Sequence, residues 1–268
     1  MAIDLALLGA GGIGDLVADA LERGRLPGVR VVAVAGSSAA SASAAKLAER
    51  LGARAVAPDA LADLRPDWVL EAAGAAAVRA HLPPLWRAGV ATVVMSLGAL
   101  LDPEVEVAYD AARAAGVAVV LPSGGIAGLD AVRAMAATGG LRRARITTTK
   151  PPRALRGAPY LEAHGIELPD DRAVTIFEGT AREAAVGFPA NVNVAVALAL
   201  AGLGPDRTEV AIHSDPSARY NQQRIEAEGD EAILDLLIQT KPSPTNPRTS
   251  YLAAASAVAA LRERSHGG

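Results

Sequence analysis

Through the first 121 residues, short unbroken apolar runs recur, separated by amphipathic, alanine-rich stretches. The runs are IDLALLG from Ile3, VRVVAVAG from Val29, DWVLEAAG from Asp67, ATVVMSLG from Ala91 and VAVVLPSG from Val117. Four to eight branched apolar residues without polar alternation suit strands covered on both faces. Strands of this kind alternating with helical stretches predict an α/β fold, a doubly wound parallel sheet.

The texture changes after Pro122. SGGIAGLDAVRAMAATGG, from Ser123, has helical spacing, and RRARITTTK, from Arg142, alternates as a strand with one exposed face. Residues 151–172 hold four prolines, two glycines and no period, which predicts a long loop. Helices are expected around TAREAAVGF and from PANVNVAVALAL, then strands near 208–214, 220–228 and 231–239. Helices followed by consecutive strands predict a second, α+β domain with a mainly antiparallel sheet. The last helix, TSYLAAASAVAALRER, follows a proline-rich stretch, with Thr249 or Ser250 as its N-cap, and is expected to return to the first domain. The expected division is 1–122 with the helix 247–265 as one domain, and 123–246 as a catalytic, substrate-binding and oligomerisation domain.

Composition narrows the partners. The 268 residues are 51% hydrophobic but only 3% aromatic, so the core must be built from closely packed small aliphatic side chains. A net charge of −3 with interspersed signs gives no footprint for nucleic acid or an anionic membrane. No run is long enough to span a bilayer, and no basic segment with a cleavage site opens the chain. The absence of cysteine removes disulfides, thiolate nucleophiles and Cys-ligated metals, and a cytoplasmic location is expected. No His, Asp and Glu cluster has metal-ligand spacing, so no metal is expected.

Gly9, Gly11 and Gly14 form G-x-G-x-x-G between the first strand and the first helical stretch. In that context the glycines permit a tight turn, close approach of a pyrophosphate and close helix packing, with the phosphates at the helix N-terminus. In this context the pattern is read as the Rossmann fingerprint for NAD or NADP, the alternative being a structural glycine turn, and Gly12 and Ile13 belong to the same loop. The second strand ends at Gly36, Ser37 and Ser38 without an acid. An acid would repel a 2′-phosphate whereas serines donate to one, so NADP is admitted beside NAD; the two serines also suit capping of the next helix. Small residues in EAAG and SLGAL, among them Ala73, Gly74 and Leu97, leave room for the rest of the cofactor, the alternative being packing.

PSGGIAGLDA, TKPPRALRG, FEGTAREAAVGFPANVNVAVALALAGLG, SDPSARYN, EAEG and NPRTSYLAAAS together resemble the L-aspartate dehydrogenase family over essentially the whole chain. The resemblance implies a Rossmann domain, a catalytic α+β domain, NAD(P), and reversible oxidative deamination of aspartate through iminosuccinate. It places Ala127 and Asn193 at the cofactor, although Asn191 and Asn193 also suit helix capping. It further implies a catalytic histidine two residues after Asn221, where this chain has Gln223. Glutamine orients by hydrogen bonds but exchanges no proton near neutral pH. A basic residue that usually precedes the family lysine is also missing, replaced by Thr149.

Lys150 is the candidate for binding a substrate carboxylate or acting as an acid, the alternative being a solvated strand-end lysine. His213 would stand beside Gln223 if their strands pair, and His164 would fold over the pocket from the long loop; each also suits a structural role. His81 is expected to be structural and His266 to lie in a tail. The leading expectation is an NAD(P)-dependent oxidoreductase acting on an amino acid, keto acid or imine. The alternatives are an imine or carbonyl reductase with a changed substrate, and a dinucleotide-binding protein without catalysis. A homo-oligomer, a dimer first of all, is expected from the second sheet's exposed face or edge.

Overall fold

The computed structural model describes residues 2–190, 192–241 and 250–266. The chain divides into two compact units, Met1–Pro122 with Ala253–Gly268, and Ser123–Leu252.

The first unit runs β1 (Ile3–Leu8), α1 (Gly12–Glu22), β2 (Val29–Ala35), α2 (Ala42–Leu51), β3 (Arg54–Val56), α3 (Leu61–Leu64), β4 (Trp68–Glu71), α4 (Ala75–Arg87), β5 (Ala91–Val94), α5 (Pro103–Ala114) and β6 (Val119–Val120). Its sheet has the order β3-β2-β1-β4-β5-β6, parallel throughout. That is the Rossmann order, with the switch point, where the strand order reverses, falling between β1 and β4. The apolar runs become strands because both faces are covered: Leu5, Val34, Leu70 and Val93 are buried in one cluster with Val17 and Leu47 of the flanking helices. Ala257, Ala260 and Leu261 of the C-terminal helix Tyr251–His266 join the same cluster.

Three residues, β3, were not foreseen as a strand, being an edge segment that pairs with β2 alone. The helix after β2 is capped by Ser41, whose hydroxyl accepts from the Ala44 N–H, and not by Ser37 or Ser38. Thr249 lies outside the described residues; Ser250 directly precedes the C-terminal helix.

The second unit contains α6 (Leu129–Thr138), β7 (Leu141–Lys150), α7 (Pro159–His164), β8 (Val174–Thr180), α8 (Ala181–Gly187), α9 (Asn193–Ala201), β9 (Glu209–Ser214), β10 (Asn221–Gly229) and β11 (Ile233–Thr240); the C-terminal helix is α10. The sheet order is β11-β10-β7-β9-β8. All pairs are antiparallel except β7 with β9. α6 starts at Leu129, so residues 123–128, with Ala127, form a loop that ends on Gly128 at φ +77°.

Two expectations are corrected here. The stretch 151–172 is not all loop: it carries a 3-10 turn at Pro152–Ala154 and the helix α7. Pro159 at the start and Gly165, in the left-handed region, at the end delimit α7. β8 was missed because its register shifts between Thr175 and Phe177, which buries the consecutive Ile176 and Phe177 and breaks the two-residue alternation.

Candidate active site

In the first unit a cavity of about 610 Å³ opens at the carboxyl end of β1 and is lined by Gly9, Ala10, Gly11, Ser37, Ser41, Ser43, Ala72, Ala73 and His81, among others. Gly9 has φ +116°, and a Cβ there would lie 2.5 Å from the Ala72 carbonyl oxygen, so only glycine fits the turn. A Cβ on Gly14 would meet a Leu47 methyl at 2.8 Å, which makes it the contact glycine between α1 and α2. Gly11 is the N-cap of α1, and nothing would block a Cβ there, so the backbone beside it is open to a ligand. A pyrophosphate fits this cradle, with the α1 amide groups directed toward it.

The sequence-predicted residues divide. Gly9, Gly11, Ser37 and Ala73 line the cavity. Gly12 opens α1, while Ile13 packs partly buried against the core. Ser38 is exposed beside the mouth, Gly74 caps α4, and Leu97 is buried at 3% exposure as a packing residue. His81, expected to be structural, lines the cavity while pairing through Nδ1 with Asp59 at 2.9 Å.

Glu71 escaped the sequence reading. It is 0% exposed and accepts five hydrogen bonds: Oε1 from the Ala73 and Gly74 N–H groups and Ser96 Oγ at 2.8, 2.9 and 2.8 Å, and Oε2 from the Met95 and Ser96 N–H groups at 3.1 and 2.9 Å. The one signal was an acid ending an otherwise apolar run.

In the second unit, alternation along the strands sorts the candidates by face. Gln223 lies opposite Thr148, and Thr148 opposite Ile212. These residues are buried, and so are Ile146 and Ile225 two positions along on the same face. Lys150 is two residues beyond Thr148, so it shares this face and lies diagonally from Gln223, about 7–8 Å away at the backbone. Asn221 belongs to the same face, two residues before Gln223. Gln223 is 5% exposed, and its Oε1 accepts from Thr148 Oγ1 at 2.7 Å. That bond fixes the amide so that its nitrogen is the end left to donate elsewhere.

Burial pushes the Lys150 ammonium down from 10.5 to about 8. Its backbone carbonyl accepts from the Asp215 N–H at 2.9 Å, which ties the end of β7 to the turn after β9. Ser214, the register partner of Lys150, is fully buried, and its hydroxyl has no hydrogen-bond partner among the described residues.

His213 does not stand beside Gln223. Its strand β9 pairs with β7 and β8, so β7 separates it from β10, and alternation turns it to the opposite face. There it is in register with Thr149, which is in register with Gln222. His164 is tied into α7, with Nδ1 at 2.8 Å from the Tyr160 carbonyl and its ring stacked 4.1 Å from that of Tyr160. Ala127 is exposed on the loop before α6, and Asn193 is the exposed first residue of α9, whose N-cap position is Val192. Asn191 and the side chain of His266 lie outside the described residues. Among the described residues no three His, Asp or Glu side chains gather as metal ligands, and no helix is long and apolar enough to cross a membrane.

A parallel sheet in the Rossmann order with a glycine cradle after β1 is the build of dinucleotide-binding proteins. Comparison with known proteins agrees. Residues 9–122 match the model of the homoserine dehydrogenase NAD binding domain, and residues 130–264 match the aspartate dehydrogenase C-terminal model. The chain is 42% identical to an L-aspartate dehydrogenase of Bradyrhizobium diazoefficiens, covering 97% of this chain and 91% of that one. It is 37% identical to an L-aspartate dehydrogenase of Methanosarcina mazei, over 97% and 96%. The crystal structure of the Thermotoga maritima aspartate dehydrogenase shares the fold, with a TM-score of 0.71 at 22% identity over 98% and 97% of the two chains. The chain belongs to the aspartate dehydrogenase family.

Proposed function

We propose that this protein is an NAD(P)-dependent oxidoreductase of the C–N bond that interconverts L-aspartate with iminosuccinate, and so with oxaloacetate and ammonia. The single observation that carries the reading is the buried face on which Lys150, Thr148 and Gln223 stand together, in a chain of this family. The Gly9–Gly14 cradle fits a dinucleotide, whose nicotinamide supplies hydride acceptance or donation when bound.

The protein's own residues do the remaining work. Protonated Lys150 holds a substrate carboxylate, an interaction that strengthens where water is excluded. Gln223, anchored by Thr148, donates from its amide nitrogen to orient the substrate nitrogen or the second carboxylate, and Asn221 adds a second amide on the same face. With an amide in place of the histidine that the resemblance implies, Lys150 is a titratable group on this face that can pass a proton near neutral pH. Ala127 and Asn193 are assigned to the nicotinamide end of the cofactor on the strength of the resemblance, and His213, on the other face, drops out of the catalytic set.

The fixed, non-titrating Gln223 favours a second reading: reduction of a preformed imine or another carbonyl-derived substrate, with ammonia addition occurring elsewhere. Gln223→His separates the two when NADH and NADPH oxidation is followed with oxaloacetate, with and without ammonia. Ammonia-dependent turnover in the wild type, raised by the substitution, supports the aspartate reading. Turnover that ignores ammonia in both forms supports the reductase.

The outward face of the second sheet supports a homo-oligomer. Leu237 and Ile233 are exposed there at 60% and 81%, beside exposed Arg143 and Arg224. A homodimer covering this face is proposed, and Leu237→Glu is expected to halve the sedimenting mass. A cysteine-free composition supports a cytoplasmic setting.

A further inference from the structure

We infer that Glu71 is a positioning residue for the cofactor: its carboxylate locks the loops after β4 and β5 so that their backbone seats the nicotinamide half of the dinucleotide. The inference rests on the dinucleotide-binding reading of the first unit.

Glu71 occupies a place the core would fill with an apolar residue. Its register partners are Leu8 in β1 and Val94 in β5, and the two residues before it are buried Val69 and Leu70. A fully buried carboxyl group is costly unless satisfied, and this one is satisfied by donors from two loops only, Ala73–Gly74 and Met95–Ser96. The side chain therefore clasps the two loops together beyond the last backbone bond of the β4–β5 pairing, from the Met95 N–H to the Glu71 carbonyl at 3.1 Å. A polar break in an otherwise consistent apolar pattern is where function is to be sought.

What the clasp holds in place is visible at the cavity. Ala72 and Ala73 line it, and the Ala72 carbonyl is the wall that Gly9 turns against, 2.5 Å from where a Cβ would sit. In a sheet of this order the strands beyond β1 serve the second mononucleotide, so the loops after β4 and β5 face the nicotinamide half and the end of β2 faces the adenosine half. Loosening the clasp should weaken the whole dinucleotide and spare an adenosine fragment.

The test is Glu71→Gln in the full chain, an isosteric change that puts an NH2 group where N–H donors now point. Dissociation constants of NADH and NADPH are read by nicotinamide fluorescence, and those of 5′-AMP and 2′,5′-ADP by calorimetry, with folding checked by circular dichroism. The expected result is at least about tenfold weaker dinucleotide binding, the scale of losing hydrogen bonds to a charged acceptor, with fragment binding changed by less than about twofold. Dinucleotide affinity within about twofold of the wild type would overturn the inference, as would equal weakening of fragments and dinucleotides.

Should Glu71→Gln fail to fold, Ser96→Ala removes one donor and keeps the carboxylate. About threefold weakening confined to dinucleotides is then expected, and unchanged affinity overturns the inference. A wild-type chain that binds no nicotinamide dinucleotide would instead defeat the reading on which the inference stands, so the two failures are distinguishable.

Discussion

Replacing Lys150 with methionine should make the protein more stable and less active, and the stability gain should depend on pH in a calculable way. Desolvation lowers this ammonium from 10.5 to about 8, and at 1.36 kcal/mol per pH unit that gap corresponds to about 3 kcal/mol. Below about pH 8 the side chain is protonated in both states, and the folded protein carries the whole desolvation cost. Between about 8 and 10.5 the folded chain sheds the proton while the unfolded chain keeps it, so wild-type stability rises with pH; above 10.5 the cost is gone.

Lys150→Met is expected to be more stable than the wild type by about 3 kcal/mol at pH 7 and by only about 1 kcal/mol at pH 9.5. Urea unfolding at the two pH values reads the difference directly. In turnover the variant should lose most activity at pH 7, and the wild-type KM for a dicarboxylate should rise as pH passes about 8, where the cation is neutralised. A variant no more stable than the wild type at pH 7, or a gap that does not shrink with pH, would refute the claim that Lys150 is held at a cost.

Gly9→Ala sets a Cβ 2.5 Å from the Ala72 oxygen in a backbone at φ +116°, and should abolish measurable dinucleotide binding while leaving a folded second unit, read by calorimetry and circular dichroism. Thr148→Val removes the donor to Gln223 Oε1 and leaves a buried acceptor unpaired. It should cost about 1–3 kcal/mol in urea unfolding and lower kcat more than it raises KM, because the amide loses its orientation.

The parallel sheet was legible because strands buried on both faces have nothing to alternate with, as in VVAVA and WVLEA, and because glycine spacing names the turn that follows β1. Neighbour order within the second sheet was not legible. Strand character is written locally, but the parallel pairing of β7 with β9 depends on crossovers, and it is this pairing that moves His213 away from Gln223. The same alternation that hides the order would have placed Lys150 and Gln223 on one face once the register was known. β8 was hidden by its bulge, and α7 by prolines that suggest a loop yet start a helix when they stand at its first turn. Glu71 was overlooked because an acid after an apolar run looks like a strand end, and its five donors come from loops that meet only in three dimensions.

The most direct test of the central claim is to follow nitrogen through the reaction. Oxaloacetate, ¹⁵N-ammonia and NADH or NADPH are incubated with the full chain, and cofactor oxidation is compared with ¹⁵N in the product by mass spectrometry. The expected result is ¹⁵N-aspartate formed mole for mole with the cofactor oxidised. Cofactor oxidation that yields the hydroxy acid without nitrogen, or no oxidation with either cofactor, would contradict it.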